Sequence, residues 1–281
     1  MKTYATIAAF REALDTERHA GRAVGLVPTM GYLHDGHRSL MDAAVVANGV
    51  AALTIFVNPL QFAPTEDLST YPRDLQRDLA MARSAGIGHV FTPDVAEMYP
   101  EAIATTVSVA GVSSALEGAS RPTHFDGVAT VVAKLFAIAG PCRAYFGEKD
   151  FQQLAVVRKM TSDLSLPVAV VGCPTVRESD GLAMSSRNVY LNDAERAAAP
   201  VLHRALRAGR EAIEQGVRDA AAVRAVMAEV IAAEPLARLD YAEVVDAATF
   251  VVPAPLAGTL RLLVAVRFAK ARLIDNIGVL A

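Results

Sequence analysis

Across roughly its first 175 residues the chain alternates short apolar runs with longer amphipathic stretches, and this alternation limits the fold more than any other feature. Ala23–Val27 reads as a strand, followed by a loop and a helix from about Gly36 to Asn48. Ala51–Val57, rich in β-branched residues, is the next strand. The series continues with a helix from about Pro72 to Ser84, Pro72 suiting a first turn, and a short strand at His89–Phe91. Val128–Ala139 then reads as a helix, Arg143–Phe146 as a strand, Phe151–Asp163 as a helix and Val168–Gly172 as a strand. Strand and helix in alternation mean βαβ units and a parallel sheet. Such sheets bind ligands in the loops at the carboxyl ends of their strands.

The pattern changes after Pro174. Asn192-Asp193 caps a long Ala-rich helix reaching about Gly216, and a second helix spans Asp219–Ala233. Leu239–Val245, Thr259–Phe268 and Ala271–Val279 follow as strands with no helix between them. That is a small antiparallel sheet. The expectation is therefore an α/β fold: a Rossmann-like parallel-sheet domain over residues 1–175 and a smaller α+β C-terminal domain over residues 176–281.

Composition removes several classes of function. With 53% hydrophobic and 20% charged residues the chain is not a disordered one. No apolar run approaches the roughly 18–20 residues of a membrane helix; the richest, Val45–Val57, is interrupted by Asn48 and Gly49. Met1-Lys2-Thr3-Tyr4 leads into Arg11, Glu12 and Asp15, which does not read as a signal peptide, so a cytoplasmic location is expected. The net charge of −3 and the absence of a long basic run argue against nucleic acid as a partner, and nothing suggests a membrane partner. Cys142 and Cys173 form no CxxC and no disulfide framework; they read as reduced core thiols.

The most informative segment is Val27-Pro28-Thr29-Met30-Gly31-Tyr32-Leu33-His34-Asp35-Gly36-His37, between the strand and helix of a βαβ unit. His34 and His37, three residues apart at a helix N-terminus, share a face. Helix N-termini favour phosphate through free N–H groups and partial positive charge, and imidazoles add donors. Gly31 and Gly36 let the backbone approach a ligand. This segment resembles the HIGH signature of the nucleotidyltransferase superfamily. Downstream, Met184-Ser185-Ser186-Arg187 resembles that superfamily's KMSKS loop, where two hydroxyls and a guanidinium on a mobile loop can wrap phosphates.

Four further segments narrow the resemblance: Ile55-Phe56-Val57-Asn58-Pro59-Leu60-Gln61-Phe62, Arg121-Pro122-Thr123-His124-Phe125-Asp126-Gly127-Val128, Phe146-Gly147-Glu148-Lys149-Asp150-Phe151-Gln152-Gln153 and Ser179 to Asn188. In order and spacing from about Val24 to Asn192, and more loosely to the C-terminus, the chain resembles the pantothenate synthetase (pantoate–β-alanine ligase) family.

The resemblance implies a two-step ligation of coenzyme A biosynthesis. Pantoate carboxylate attacks the α-phosphate of ATP, giving pantoyl adenylate and pyrophosphate; the amine of β-alanine then displaces AMP. It implies a nucleotide- and pantoate-binding first domain and a C-terminal lid. Met30, Gly31, Tyr32, Leu33, His34, Asp35, Gly36 and His37 match the ATP-binding segment, with His37 the better candidate to donate to the leaving pyrophosphate. Gly147, Glu148, Lys149 and Asp150 follow a strand where ATP contacts are expected, Lys149 bridging phosphates. Val176 offers backbone contacts to adenine, and Met184, Ser185, Ser186 and Arg187 complete the set. His37, His34, Lys149 and Arg187 are the catalytic candidates. Gln61 and Gln153 resemble pantoate ligands, with Gln152 the structural alternative to Gln153. Asn58 contacts a phosphate or β-alanine, or caps a turn; Arg121 and His124 lie on a loop that could close over substrate. Mg²⁺ is expected with ATP. Asp74 and Asp78, an i,i+4 pair flanking Arg77, read as an exposed acidic face rather than metal ligands, so no protein ligand is assigned. The resemblance also suggests a homodimer.

Other readings predict other features. A nucleotidyltransferase with a phosphorylated second substrate would need basic residues where Gln61 and Gln153 stand. A tRNA-binding synthetase relative would need an anticodon-reading domain and a basic surface. A non-catalytic nucleotide-binding module would have no reason to keep both histidines, Lys149 and the Ser-Ser-Arg run.

Overall fold

The computed structural model describes residues 1–63 and 68–281. Its elements run β1 (Lys2–Tyr4), α1 (Ile7–His19), β2 (Val24–Thr29), α2 (Asp35–Ala47), β3 (Val50–Ile55), α3 (Leu75–Ser84), β4 (His89–Phe91), α4 (Val95–Met98), α5 (Glu117–Ser120), α6 (His124–Ala139), β5 (Cys142–Gly147), α7 (Phe151–Asp163) and β6 (Val168–Cys173). Then come α8 (Asp193–Ala198), α9 (Val201–Glu214), α10 (Ala220–Ala232), β7 (Arg238–Asp246), β8 (Thr259–Phe268) and β9 (Ala271–Leu280). Short 3₁₀ helices lie at Pro59–Gln61, Glu148–Asp150 and Ser186–Tyr190.

Six strands form one parallel sheet in the order β1-β4-β3-β2-β5-β6. From β2 the chain builds outward through β3 and β4, then crosses back to add β5 on the other side of β2. Strand order thus reverses between β2 and β5, the place where open parallel sheets form a ligand crevice beyond their strand ends. Val27 and Leu53 pack with Leu40, Met41 and Ala44 of α2 and Ala82 of α3. Helices α1 and α6 also pack on β2, and successive strand residues face opposite sides. The sheet is therefore covered twice, which is why its strands read as continuous apolar runs. Cys173 lies in this core and both thiols are free.

Three strands form an antiparallel sheet, β7-β8-β9, with α9 against β8 and β9 and α10 against β7. Gly209 allows the close approach: a Cβ there would lie 2.7 Å from both Leu262 of β8 and Met227 of α10. The fold class is the expected one, a helix-covered parallel sheet followed by a smaller antiparallel α+β part. The chain clusters into two compact units, Met1–Glu148 with Gln152–Pro174, and Lys149–Phe151 with Thr175–Ala281.

Several expectations are corrected. The strand β1 and helix α1 are additional; Thr6 caps α1, and Phe10 and Leu14 bury its inner side. Helix α3 begins at Leu75 with Asp74 as its cap, so Pro72 precedes the helix. The long helix expected from Asn192 to Gly216 is two, because Pro200 lacks the N–H to continue the ladder and separates α8 from α9. Helix α6 starts at His124, so His124 is a first-turn residue, not a loop one.

Candidate active site

The loop after β2 is shaped by two consecutive left-handed residues, Gly31 (φ +86°) and Tyr32 (φ +48°). That bend aims two backbone N–H groups at one carboxylate: Asp78 of α3 accepts Tyr32 N at 2.8 Å and Leu33 N at 2.7 Å. A Cβ at Gly31 would meet Asp78 Oδ2 at 2.9 Å, so glycine answers both the dihedral and the space. Tyr32 tolerates its left-handed backbone under these restraints, with the Arg77 guanidinium over its ring at 5.1 Å. Thr29 ties the start of the loop, donating to Thr54 O at 2.7 Å and accepting Gly31 N at 3.2 Å.

Asp78 is 1% exposed, which corrects the exposed acidic face expected for Asp74 and Asp78. Asp74 spends its carboxylate on Arg77 N as the helix cap, while Asp78 turns inward. Burial pushes the Asp78 carboxyl above the usual 3.8, and its two amide bonds pull the other way. An i,i+4 spacing places residues on one helix face without saying which way that face turns. Among the described residues no group of three or more His, Cys, Asp or Glu side chains is placed to hold a metal ion.

At the start of α2 the histidines form a capping box. His34 is the cap residue and its Nδ1 accepts Gly36 N at 3.1 Å; His34 N donates to His37 Nδ1 at 3.3 Å. A backbone N–H can only donate, so each Nδ1 acts as acceptor and each neutral ring carries its hydrogen on Nε2. The rings lie 4.1 Å apart between centroids. The helix N-terminus thus carries two imidazoles of defined tautomer, each with Nδ1 as the acceptor and its hydrogen on Nε2.

The 3₁₀ turn at Pro59–Gln61 holds a second set. Asn58, 1% exposed, fills all four hydrogen-bonding positions of its amide inside the protein. Its Oδ1 accepts Leu60 N at 3.3 Å and the Tyr99 hydroxyl at 2.8 Å, and its Nδ2 donates to Gly127 O at 3.1 Å and Gln61 Oε1 at 3.3 Å. Gln61 Nε2 faces Met30 Sδ at 3.0 Å. The Gln61 carbonyl accepts Arg121 Nη2 at 3.2 Å and pairs with His124 Nδ1 at 2.9 Å. Gly127 of α6 packs so closely on this turn that a Cβ would lie 2.2 Å from Leu60 O. The structure therefore brings Met30, Asn58, Gln61, Arg121 and His124 together, with Gln61 at the centre. Tyr99 is the member of this network that sequence reasoning missed; one tyrosine after a four-residue helix carries no local signal.

The neighbouring glutamines of α7 differ. Gln152 is buried and spent on the 112–117 segment, accepting Glu117 N at 3.1 Å and donating to Val112 O and Ala115 O at 2.8 Å. The Gln153 side chain forms no hydrogen bond among the described residues.

In the second unit, Lys149 Nζ lies 3.5 Å from Asp150 Oδ1, and Lys149 O accepts Asn276 Nδ2 at 2.7 Å. Val176 O accepts Met184 N at 3.0 Å and Glu178 N bonds Leu182 O at 2.8 Å, closing a small hairpin around Gly181 (φ +96°). The hairpin is pinned by charge. Arg177 grips the buried Asp275 of β9 at 2.6 and 2.8 Å and bonds Gly181 O at 3.0 Å; Arg196 of α8 bridges Glu178 and Asp180, both at 2.6 Å. Directly after it Ser185 caps the 3₁₀ turn Ser186–Tyr190, accepting Arg187 N at 3.3 Å. The segment expected to be a mobile loop thus stands on a base fixed to β9 and α8. Asp275-Asn276, a polar pair inside an apolar strand, was the readable signal for this anchor.

The family model described as pantoate-beta-alanine ligase matches residues 2–278. A pantothenate synthetase of Roseiflexus sp. (strain RS-1) is 54% identical over 277 residues, covering 98% of each chain. One from Heliobacterium modesticaldum is 57% identical over 257 residues, covering 91% of each. Among solved structures, pantothenate synthetase from Thermus thermophilus superposes with a TM-score of 0.94 at 52% identity, covering 99% of both chains. The Francisella tularensis pantoate-beta-alanine ligase complexed with beta-gamma ATP and beta-alanine gives a TM-score of 0.81 at 31% identity, covering 99% of this chain and 97% of that one.

Proposed function

The chain belongs to the pantoate–β-alanine ligase family, and from that premise we propose how its residues divide the work. The reaction is the ATP-dependent condensation of (R)-pantoate with β-alanine to pantothenate, AMP and pyrophosphate through pantoyl adenylate. A carboxylate is a poor acyl donor because its leaving group would be oxide; adenylation exchanges that for AMP. The first step needs charge neutralisation and in-line positioning rather than a protein nucleophile.

The observation that carries the assignment is the histidine capping box. With both Nδ1 atoms occupied by backbone N–H groups, His34 and His37 offer Nε2–H donors at the positive end of α2, where charge develops as pyrophosphate departs. We read this segment as the HIGH signature and the parallel-sheet unit as Rossmann-like. Residues 30–37 and 147–150, Val176 and 184–187 are assigned to ATP, with Lys149 and Arg187 countering phosphate charge. Gln61 and Gln153 are assigned to pantoate. The full internal engagement of Asn58 supports a role for it behind Gln61, and the engagement of Gln152 leaves Gln153 as the glutamine open to a ligand. Arg121 and His124 hold the Gln61 backbone.

ATP enters as its magnesium complex. The described residues offer no carboxylate cluster for the ion, and phosphate oxygens and water suit it. A mixed anhydride hydrolyses readily, so residues 176–281 are read as the cover that excludes water while β-alanine arrives. Among the described residues no helix is long and apolar enough to cross a membrane; a cytoplasmic homodimer with no nucleic-acid partner is the accompanying proposal.

Exchange of labelled pyrophosphate into ATP tests the scheme. It should require pantoate and proceed without β-alanine, and a panel of other carboxylic acids should not replace pantoate. Exchange strictly dependent on β-alanine would mean concerted chemistry and end the adenylate reading.

A further inference from the structure

Two backbone groups leave the Asn58 amide a single orientation. Leu60 N–H can only donate, so Oδ1 faces it; Gly127 C=O can only accept, so Nδ2 faces it. The Tyr99 hydroxyl, 2.8 Å from Oδ1, must then donate to it. The second Nδ2 hydrogen goes to Gln61 Oε1, which fixes the Gln61 amide with its carbonyl inward. Its Nε2 is turned to Met30 Sδ, a weak acceptor that leaves donor capacity to spare.

We infer that Tyr99 is a positioning residue for substrate recognition, holding Asn58 and through it Gln61 so that Gln61 presents N–H donors to an oxygen of pantoate. The inference rests on the assignment of Gln61 to pantoate and adds the polarity of that contact and the residue that sets it. Tyr99 suits the task. Burial pushes its phenol up to about 12, so it stays a donor across the working pH range. Its ring is packed near Phe56, with centroids 6.0 Å apart, and under the Lys134 ammonium at 5.3 Å, which itself donates to Met98 O. The hydroxyl is thus delivered to Asn58 by a rigid support 41 residues away in sequence.

The test is steady-state kinetics of the full chain carrying Tyr99→Phe, Gln61→Ala or both. Tyr99→Phe keeps the ring and removes only the hydroxyl. It should raise the pantoate KM about 3–10-fold, the weight of one neutral hydrogen bond, and leave the ATP KM within about twofold. In the Gln61→Ala background the same change should raise the pantoate KM by less than about twofold, because residues acting as one network are not additive. Equal factors in both backgrounds, equal effects on ATP and pantoate, or no effect on pantoate would overturn the inference. Gln61→Glu supplies an independent arm. It still accepts from Asn58 but offers pantoate no donor, so its pantoate KM should exceed that of Gln61→Ala; a Gln61→Glu enzyme with unchanged pantoate KM would overturn the donor polarity. Gln61→Ala alone separates the levels. An unchanged pantoate KM there removes the assignment of Gln61 itself, whereas a raised one beside a silent Tyr99→Phe removes only the role of Tyr99.

Discussion

The two units fix their functional side chains by different means. In the first, restraint comes from the backbone: two amides on Asp78, two on the histidine pair, and the Gln61 carbonyl under Arg121 and His124. In the second, the hairpin leading to Ser185–Arg187 is held by guanidinium–carboxylate pairs, Arg177 to Asp275 and Arg196 to Glu178 and Asp180. Backbone donors arrive with the secondary structure and cost little extra ordering. Ion pairs must overcome desolvation and side-chain entropy, and repay it only where both partners are well bonded. The first arrangement holds individual side-chain and backbone atoms of a turn, and the second holds a whole hairpin.

The sharpest way to break this contrast is Arg177→Met. Asp275 is 3% exposed, so the change strands a buried charge and should destabilise the second unit by about 3–5 kcal/mol. Hydrogen exchange should show protection falling in β9 and around residues 176–184, while amides of β2 and α2 keep theirs. Equal loss in both regions would mean the two units share one stability. His37→Ala is the counterpart in the first unit. Adenylation should fall about 10²–10³-fold, as for removal of one transition-state donor, with thermal stability nearly kept. Full pyrophosphate release would remove His37 from the chemistry.

Asp78→Asn probes the backbone strategy more gently. An amide retains one acceptor oxygen but sets an NH₂ group against a backbone N–H. A loss of about 1–3 kcal/mol in thermal unfolding is expected, with adenylation reduced as the 30–33 turn loosens. Unchanged stability would show that the turn does not depend on that carboxylate. The smallest effect is a pH difference. The Arg196 pair holds Asp180, and the Thr249 backbone and hydroxyl hold Asp246, below the usual 3.8. Their contribution is present above that value and fades as pH falls beneath it. Asp78 is shifted the opposite way, its ionised form disfavoured by burial, so acid relieves a cost in the 30–33 turn. Amides near Asp180 and Asp246 should therefore lose protection as pH falls below about 3.8, after correction for intrinsic rates, before those of residues 31–33 do. The reverse order would contradict the assigned shifts.

Much of the fold was legible because its signals are local. Apolar runs in β2, β3, β5 and β6 alternate with amphipathic helices, and the three C-terminal strands follow one another without a helix. Errors fell where one residue outweighs the periodicity: Pro200 splits a helical stretch, and Asp74 rather than Pro72 starts α3. At the site, the motif residues were readable as types. Their partners were not, because Asp78, Tyr99 and Asp275 are supplied by segments 41 to 98 residues from the groups they bond.

By itself the sequence determined the chemistry on offer: two histidines at a helix start, a lysine after a strand, a Ser-Ser-Arg run and paired glutamines in register. Those depend on residue identity and short spacing, which a chain carries whether folded or not. Only the tertiary structure decided which nitrogen of each histidine is the donor, which of Gln152 and Gln153 is spent, that Asp78 points inward, and that Asn58 serves Gln61 rather than open solvent. Each of those is settled by a hydrogen bond to a group brought near by folding. A donor or acceptor has no fixed direction until its partner is in place.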